Sequence, residues 1–307
     1  MNLLQKIIEQ FPQKAISKKN IDFISRIQRS WPEPILYSLE VHAQQSIDLL
    51  MCFSINEFIN FPKPLLKTHS SISSWIVKKS NLNFLSETVQ NIWFTFDFDK
   101  LLLSKPWYYC ILYQYRLGRN IEMLKIQRLI SLMTKSNTYA YHKILSILMR
   151  ELPRKAFVFG ISIQIRDIID KNRIILSNLS FKQISRFLKK INWPGNTLLL
   201  HRIMEVLFDR WDFKLIVDFN IKVLDEIGIE IWLNREHCFS EFNQICTILE
   251  KNEWILPIHH HSKALDEMSK YKNVWINHVK IKIGSLPKAE LKYYIFLSNH
   301  IENKTSH

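Results

Sequence analysis

Glycine is scarce in this chain of 307 residues, which has only 5. Gly118, Gly160, Gly195, Gly228 and Gly284 lie far apart, so no glycine-rich loop can cradle a phosphate, and P-loop and dinucleotide-binding folds are excluded. Cysteine is equally sparse. Cys52, Cys110, Cys238 and Cys246 show no C-x-x-C spacing, which removes zinc fingers and a disulfide framework and predicts free thiols. No apolar run approaches the length of about eighteen residues that crosses a bilayer. Met1 to Phe11 interleave Lys6 and Glu9 with apolar side chains, unlike a signal peptide, so the cytosol is the expected address and no membrane partner is expected. There is no G-x-S-x-G nucleophile motif.

What is present is a globular composition, 47% hydrophobic and 23% charged, in a chain long enough to bury a sizeable core. Lys and Arg number 42 against 28 acidic residues, a net +14. The basic residues are scattered rather than gathered into a tail. A solvated lysine-rich surface, a nucleic acid or a buried cationic cavity for a phosphorylated ligand would each account for them. Single-stranded nucleic acid would need an exposed aromatic sheet, whereas the aromatics here lie mostly on apolar faces, so it is the less expected partner.

Five segments alternate apolar and polar residues with the period of a strand: Ile35 to His42, Ile92 to Asp97, Ala156 to Arg166, Phe213 to Ile221, and Ile276 to Ile283. Their starts recur roughly every 60 residues, which marks an internal repeat. The last four precede second strand-like stretches at Tyr108 to Tyr115, Arg173 to Asn178, Gly228 to Asn234 and Leu291 to Leu297. For the first, a partner is expected at Ser74 to Lys79. Helical periodicity fills the intervals Ile121 to Met133, Phe181 to Ile191, Leu198 to Phe208, Phe239 to Leu249 and Ala264 to Tyr271. Ser180 and Ser240 stand where N-caps belong.

Ten such strands bury their apolar faces best as one curled sheet with helices outside. Closure removes its edges. The expected fold is therefore a single α+β domain over residues 1–307, a closed ten-strand antiparallel barrel of five α-β-β-α repeats. Its lumen would receive Ser38, Glu40 and His42; Trp93, Thr95 and Asp97; Gly160, Ser162, Gln164 and Arg166; Lys214, Asp218 and Asn220; Glu230, Trp232 and Asn234; and, from the last pair, His278, Lys280, Lys282, Lys292, Tyr294 and Phe296. In an open sheet the same residues would face solvent, but large aromatics among them argue for enclosure.

This organisation resembles the ABBA-type, or PT-barrel, aromatic and peptide prenyltransferases. By residues the resemblance is carried by His278-x-Lys280-x-Lys282 and Lys292-x-Tyr294, alternating cationic and tyrosine positions like those that hold a prenyl diphosphate in the family, and by Glu40 on the first strand, which looks like the glutamate that serves the acceptor. The resemblance implies metal-independent transfer of a prenyl group from an allylic diphosphate to an aromatic or peptide acceptor in specialised metabolism. It calls for no cofactor. Arg166, Lys280, Lys282 and Lys292 would bind the phosphates, with Lys214 in reserve and Tyr294 donating a hydrogen bond. Trp93, Trp232 and Phe296 would offer π faces to the allyl cation, and Glu40 or Glu230 would orient or deprotonate the acceptor. Another reading of the same residues keeps Lys280 and Lys282 in cross-strand ion pairs with Glu230 and Asp218, in a non-catalytic barrel that binds a peptide or other partner. The His259-His260-His261 triplet and Asp97 with Asp99 lack the spacing of a metal site.

Overall fold

The structure is a computed structural model, and it describes residues 3–11, 16, 18–42, 47–59, 79–96, 107–112, 119–133, 138–164, 171–220, 222–255 and 262–298. In chain order the elements are α1 (Leu3–Ile8), α2 (Lys18–Ser30), β1 (Leu36–His42), β2 (Ile47–Ser54), α3 (Ile55–Ile59), α4 (Lys79–Thr88), β3 (Val89–Phe96), β4 (Trp107–Leu112), α5 (Arg119–Met133) and α6 (Thr138–Glu151). There follow β5 (Phe157–Gln164), β6 (Lys171–Ser177), α7 (Phe181–Lys190), α8 (Thr197–Leu207), β7 (Phe213–Phe219), β8 (Val223–Trp232), α9 (Cys238–Lys251), α10 (Ser262–Met268), β9 (Val274–Ile283) and β10 (Glu290–Leu297).

The strands form a curled antiparallel sheet, each pairing with its neighbour in sequence, and β1 pairs with both β2 and β10, so the order of ladders is cyclic. Alternation decides which side chains go where. The outward set, including Leu39, Val41, Leu215, Val217, Ile229, Ile231, Val279, Ile281 and Ile295, is almost wholly buried beneath the helices and forms the hydrophobic core. The helices supply matching stripes. In α7, Ser180 and Gln183 close a capping box, while Ile184, Phe187 and Leu188 face inward. In α9, Phe242 packs its ring 4.8 Å from that of Tyr293 on the outer face of β10. The alternate set, including Glu40, Glu230, Lys280 and Lys292, is thereby turned toward the lumen.

Three expectations need correction. The partner of β1 is Ile47–Ser54, whereas residues 74–78 lie outside the described residues and Lys79 opens α4. Ser240 is not an N-cap: α9 begins at Cys238 after His237, and the Ser240 hydroxyl donates to the His237 carbonyl from within the first turn. Asn220 and Asn234 fall beyond the ends of β7 and β8 in turns, where their side chains accept from the amides of Lys222 and Glu236.

Candidate functional site

The ring of strands surrounds a cavity of about 460 Å³. Of the residues expected to form a site, Glu40, Glu230, Lys280, Lys282, Lys292, Tyr294, Trp93, Trp232 and Phe296 line it. Arg166, Asp97, Asp99 and the histidine triplet lie outside the described residues. Lys214 is set apart from that lining. Its Nζ stands 3.2 Å from the ring centroid of Phe159 and 3.5 Å from that of Trp232, a cation held on two aromatic faces.

Where β1, β2 and β10 meet, Lys292 Nζ donates to Glu40 Oε1 at 2.8 Å and lies 3.4 Å from His42 Nε2, while His42 Nε2 is 3.0 Å from Asp48. Burial alone would raise the Glu40 carboxyl; the Lys292 ammonium, with His42 and Lys280 behind it, holds it well below the usual carboxylate range. Burial, together with the nearby Glu40 and Glu230 carboxylates, pushes the Tyr294 phenol well above the usual value. Glu40, His42 and Asp48 bring ligand atoms within 4.8 Å of one another, a spacing that fits a divalent cation. Lys292 already meets that charge, which makes the cluster an ion-pair network in this state.

A second pair spans β6 and β7, which Arg173 and Asp218 face in register. The guanidinium grips the carboxylate in a fork at 2.6 and 3.1 Å. At the rim, Lys282 bonds Glu290 at 2.8 Å and lies 3.4 Å from Glu226. Lys282 is thus paired, but with neither Glu230 nor Asp218. Lys280 departs further from the ion-pair expectation. It faces Glu230 across the β8–β9 ladder, yet among the described residues its ammonium has no hydrogen bond or ion pair, although it is only 3% exposed. Burial and the neighbouring Arg173 push Lys280 down to about 7, with Glu230, Glu40 and Asp218 opposing. Burial likewise brings Lys214 to about 7.

The remaining wall is aromatic and apolar. Trp93, Phe296, Tyr294 and Cys52 form one luminal cluster, joined by Leu36, Leu50 and Trp275. The Trp93 and Phe296 rings lie 5.4 Å apart. Burial keeps the Cys52 thiol protonated. His278 is stacked between Trp232 (5.3 Å) and Tyr294 (4.0 Å).

Four of these residues escape sequence reasoning. Phe159 lines the cavity because β5 carries a bulge: Val158 and Gly160 pair with consecutive residues of β6, leaving Phe159 as the extra one. Trp275 turns inward because Asn277 is the extra residue where β9 pairs with β10. Arg173 and Asp48 belong to strands whose register only the fold supplies. The opposite charges of Arg173 and Asp218 on adjacent predicted strands are the one signal that points to their pairing.

No family model and no curated protein matches this chain. Solved structures do. The 5-dimethylallyltryptophan synthase from Streptomyces coelicolor, in complex with DMASPP and Trp, matches with a TM-score of 0.63 at 10% identity, over 99% of this chain and 94% of that one. The prenyltransferase PriB in its apo form gives 0.63 at 11% identity over 96% and 93%. AnaPT from Neosartorya fischeri gives 0.57 at 12% identity over 86% and 78%. The chain therefore shares the fold of the ABBA-type prenyltransferases over nearly its whole length.

Proposed function

We propose that the chain transfers a prenyl group from an allylic diphosphate to an aromatic or peptide acceptor, without a metal, as a step of specialised metabolism. The proposal takes the ring of strands as a closed ten-strand barrel of five α-β-β-α units, which the cyclic pairing supports. The observation that carries it is Lys280. A buried ammonium with no partner of its own, next to a cavity with an aromatic wall, is costly to the fold and suited to an anionic ligand.

In this reading Lys280 and Lys292 receive the diphosphate, with Lys282 at the rim and Arg166 joining them, and Tyr294 donates a hydrogen bond. Lys214 stays the reserve cation. As the allylic C–O bond breaks, Trp93 and Phe296 screen the developing cation from water and offer their π faces, with Trp232 on the side of Lys214. Glu40 is held ionised by Lys292 and is a weak base. Glu230 is the carboxylate free to take the proton of the acceptor.

One observation favours the second reading, a non-catalytic barrel that holds a peptide or other partner: Lys292, Lys282 and Arg173 are engaged by the chain's own carboxylates, so a diphosphate must displace Glu40 and Glu290. Calorimetric titration with dimethylallyl and geranyl diphosphates, with and without a chelator, separates the two. Transfer predicts binding that the chelator leaves unchanged and that Lys280→Ala and Lys292→Ala each weaken about tenfold or more. No binding to either diphosphate favours the second reading.

A further inference from the structure

The cavity wall around Glu230 has a fixed polarity, and its direction follows from donor and acceptor inventories. Trp275 sets it. An indole nitrogen can only donate, and Trp275 Nε1 donates to Asn277 Oδ1 at 3.3 Å. That contact orients the amide, so that Asn277 Nδ2 faces His278 Nδ1 at 2.9 Å. Because Nδ2 is a donor, Nδ1 accepts, and the proton of the imidazole sits on Nε2. Asn277 is placed for this as the extra residue of the β9 bulge, anchored by the Leu233 amide donating to its carbonyl. Burial pushes His278 down to about 4, so the ring is neutral through the neutral pH range and Nε2 remains a donor.

Nε2 lies 3.8 Å from Glu230 Oε1, beyond a direct hydrogen bond. Glu230 is 7% exposed and His278 8%. Neither the Glu230 carboxylate nor His278 Nε2 has a hydrogen-bond partner among the described residues. The wall therefore presents an acceptor and a donor side by side, about one polar atom apart. An indole satisfies only half of this: its N–H donates to Glu230, and the buried Nε2–H is left without a partner, which is unfavourable. A hydroxyl satisfies both, donating to Glu230 and accepting from Nε2–H.

We infer that the acceptor group this pocket is built to take is a phenolic hydroxyl, as on a tyrosine side chain, in preference to an indole. The inference rests on the transfer reading and narrows its acceptor. In the reaction the allylic C–O bond breaks with its electron pair leaving on the diphosphate, the phenol oxygen forms the new C–O bond, and the phenol proton passes to the Glu230 carboxylate. His278 and Asn277 are positioning residues: the one holds the oxygen, the other holds the tautomer.

The test offers N-acetyltyrosinamide and N-acetyltryptophanamide, each with dimethylallyl diphosphate, to the wild type and to Asn277→Asp, and assigns the His278 proton by nitrogen NMR of isotopically labelled, ligand-free protein. The carboxylate introduced by Asn277→Asp accepts from Nδ1–H, drawing the proton there and turning Nε2 into an acceptor. The wild type is expected to show Nε2–H and to favour the tyrosine compound about tenfold or more in kcat/KM, and Asn277→Asp to move the proton and lower that preference about tenfold. Should Asn277→Asp not fold, Trp275→Phe frees the amide to turn and lowers the preference in the same direction. An Nδ1–H tautomer in the wild type, a preference for the tryptophan compound, or a preference unmoved by the variant that folds overturns the inference. If neither compound is converted, the transfer reading falls, and calorimetric affinities of the two compounds decide the inference, with the same order expected and the reverse or equal order refuting it.

Discussion

Lys280 is the residue on which the ligand reading turns, and its environment makes two measurements informative. With a folded value of about 7 against an ordinary value near 10.4, the folded chain binds fewer protons than the unfolded chain across that window. Stability then rises with pH from about 7 to about 10, because the unfolded state loses its proton only at the upper end. Lys280→Met removes the cost. It is expected to raise the midpoint of thermal unfolding at neutral pH, by an amount that shrinks as the pH approaches about 10, while diphosphate binding is lost. An anionic ligand has the opposite effect on the ammonium and restores its proton. Diphosphate binding near pH 8 should therefore take up close to one proton, seen as calorimetric enthalpies that vary with the ionisation enthalpy of the buffer. A proton uptake that Lys280→Met leaves intact would assign it elsewhere.

At the scale of the strand, Gly228 on β8 makes the room that Lys280 occupies. A Cβ there would stand 2.8 Å from Lys280 Cε and 3.2 Å from Ile216. Gly228→Ala is expected to displace the lysine stem rather than break the sheet, weakening diphosphate binding about tenfold for about 1–2 kcal/mol of stability; titration and denaturant unfolding measure the two effects separately. The strands also explain what could be read in advance. β1, and β9 from His278 onward, alternate, because polar luminal residues oppose an apolar outer face, and β7 does so apart from the luminal Ile216; they carried Glu40, Lys214, His278, Lys280 and Lys282 to the luminal side. β2 does not alternate. Its luminal residues Leu50 and Cys52 border the apolar end of the cavity, so apart from Asp48 and Ser54 both faces read as core. Bulges hid Phe159 and Trp275, since one extra residue reverses the period-two pattern beyond it. The pairing of Arg173 with Asp218 depends on register, and periodicity carries no register.

For the whole molecule, a sheet that buries an aliphatic outer face and encloses a polar inner one explains how the architecture persists at 10–12% identity to the structures it resembles. The outer face asks only for aliphatic residues under amphipathic helices, and the inner face is free to vary with the ligand. The two faces also respond differently to salt. Luminal charges are little screened, whereas charges on exposed side chains are screened within about 8 Å at physiological ionic strength. Retention on heparin is expected to vanish with added salt, while diphosphate affinity falls only a few-fold between about 0.1 M and 1 M; a diphosphate affinity that collapses in parallel with heparin retention would place the anion on the outer surface.

A crystal structure with an unreactive thiolodiphosphate analogue of the donor is the most direct measurement. It should find the diphosphate inside the ring of strands, with an oxygen in hydrogen-bond reach of Lys280 Nζ and the prenyl chain toward Trp93 and Phe296. An analogue bound only on the outer surface, or a lumen that remains unchanged at a saturating concentration, would contradict it.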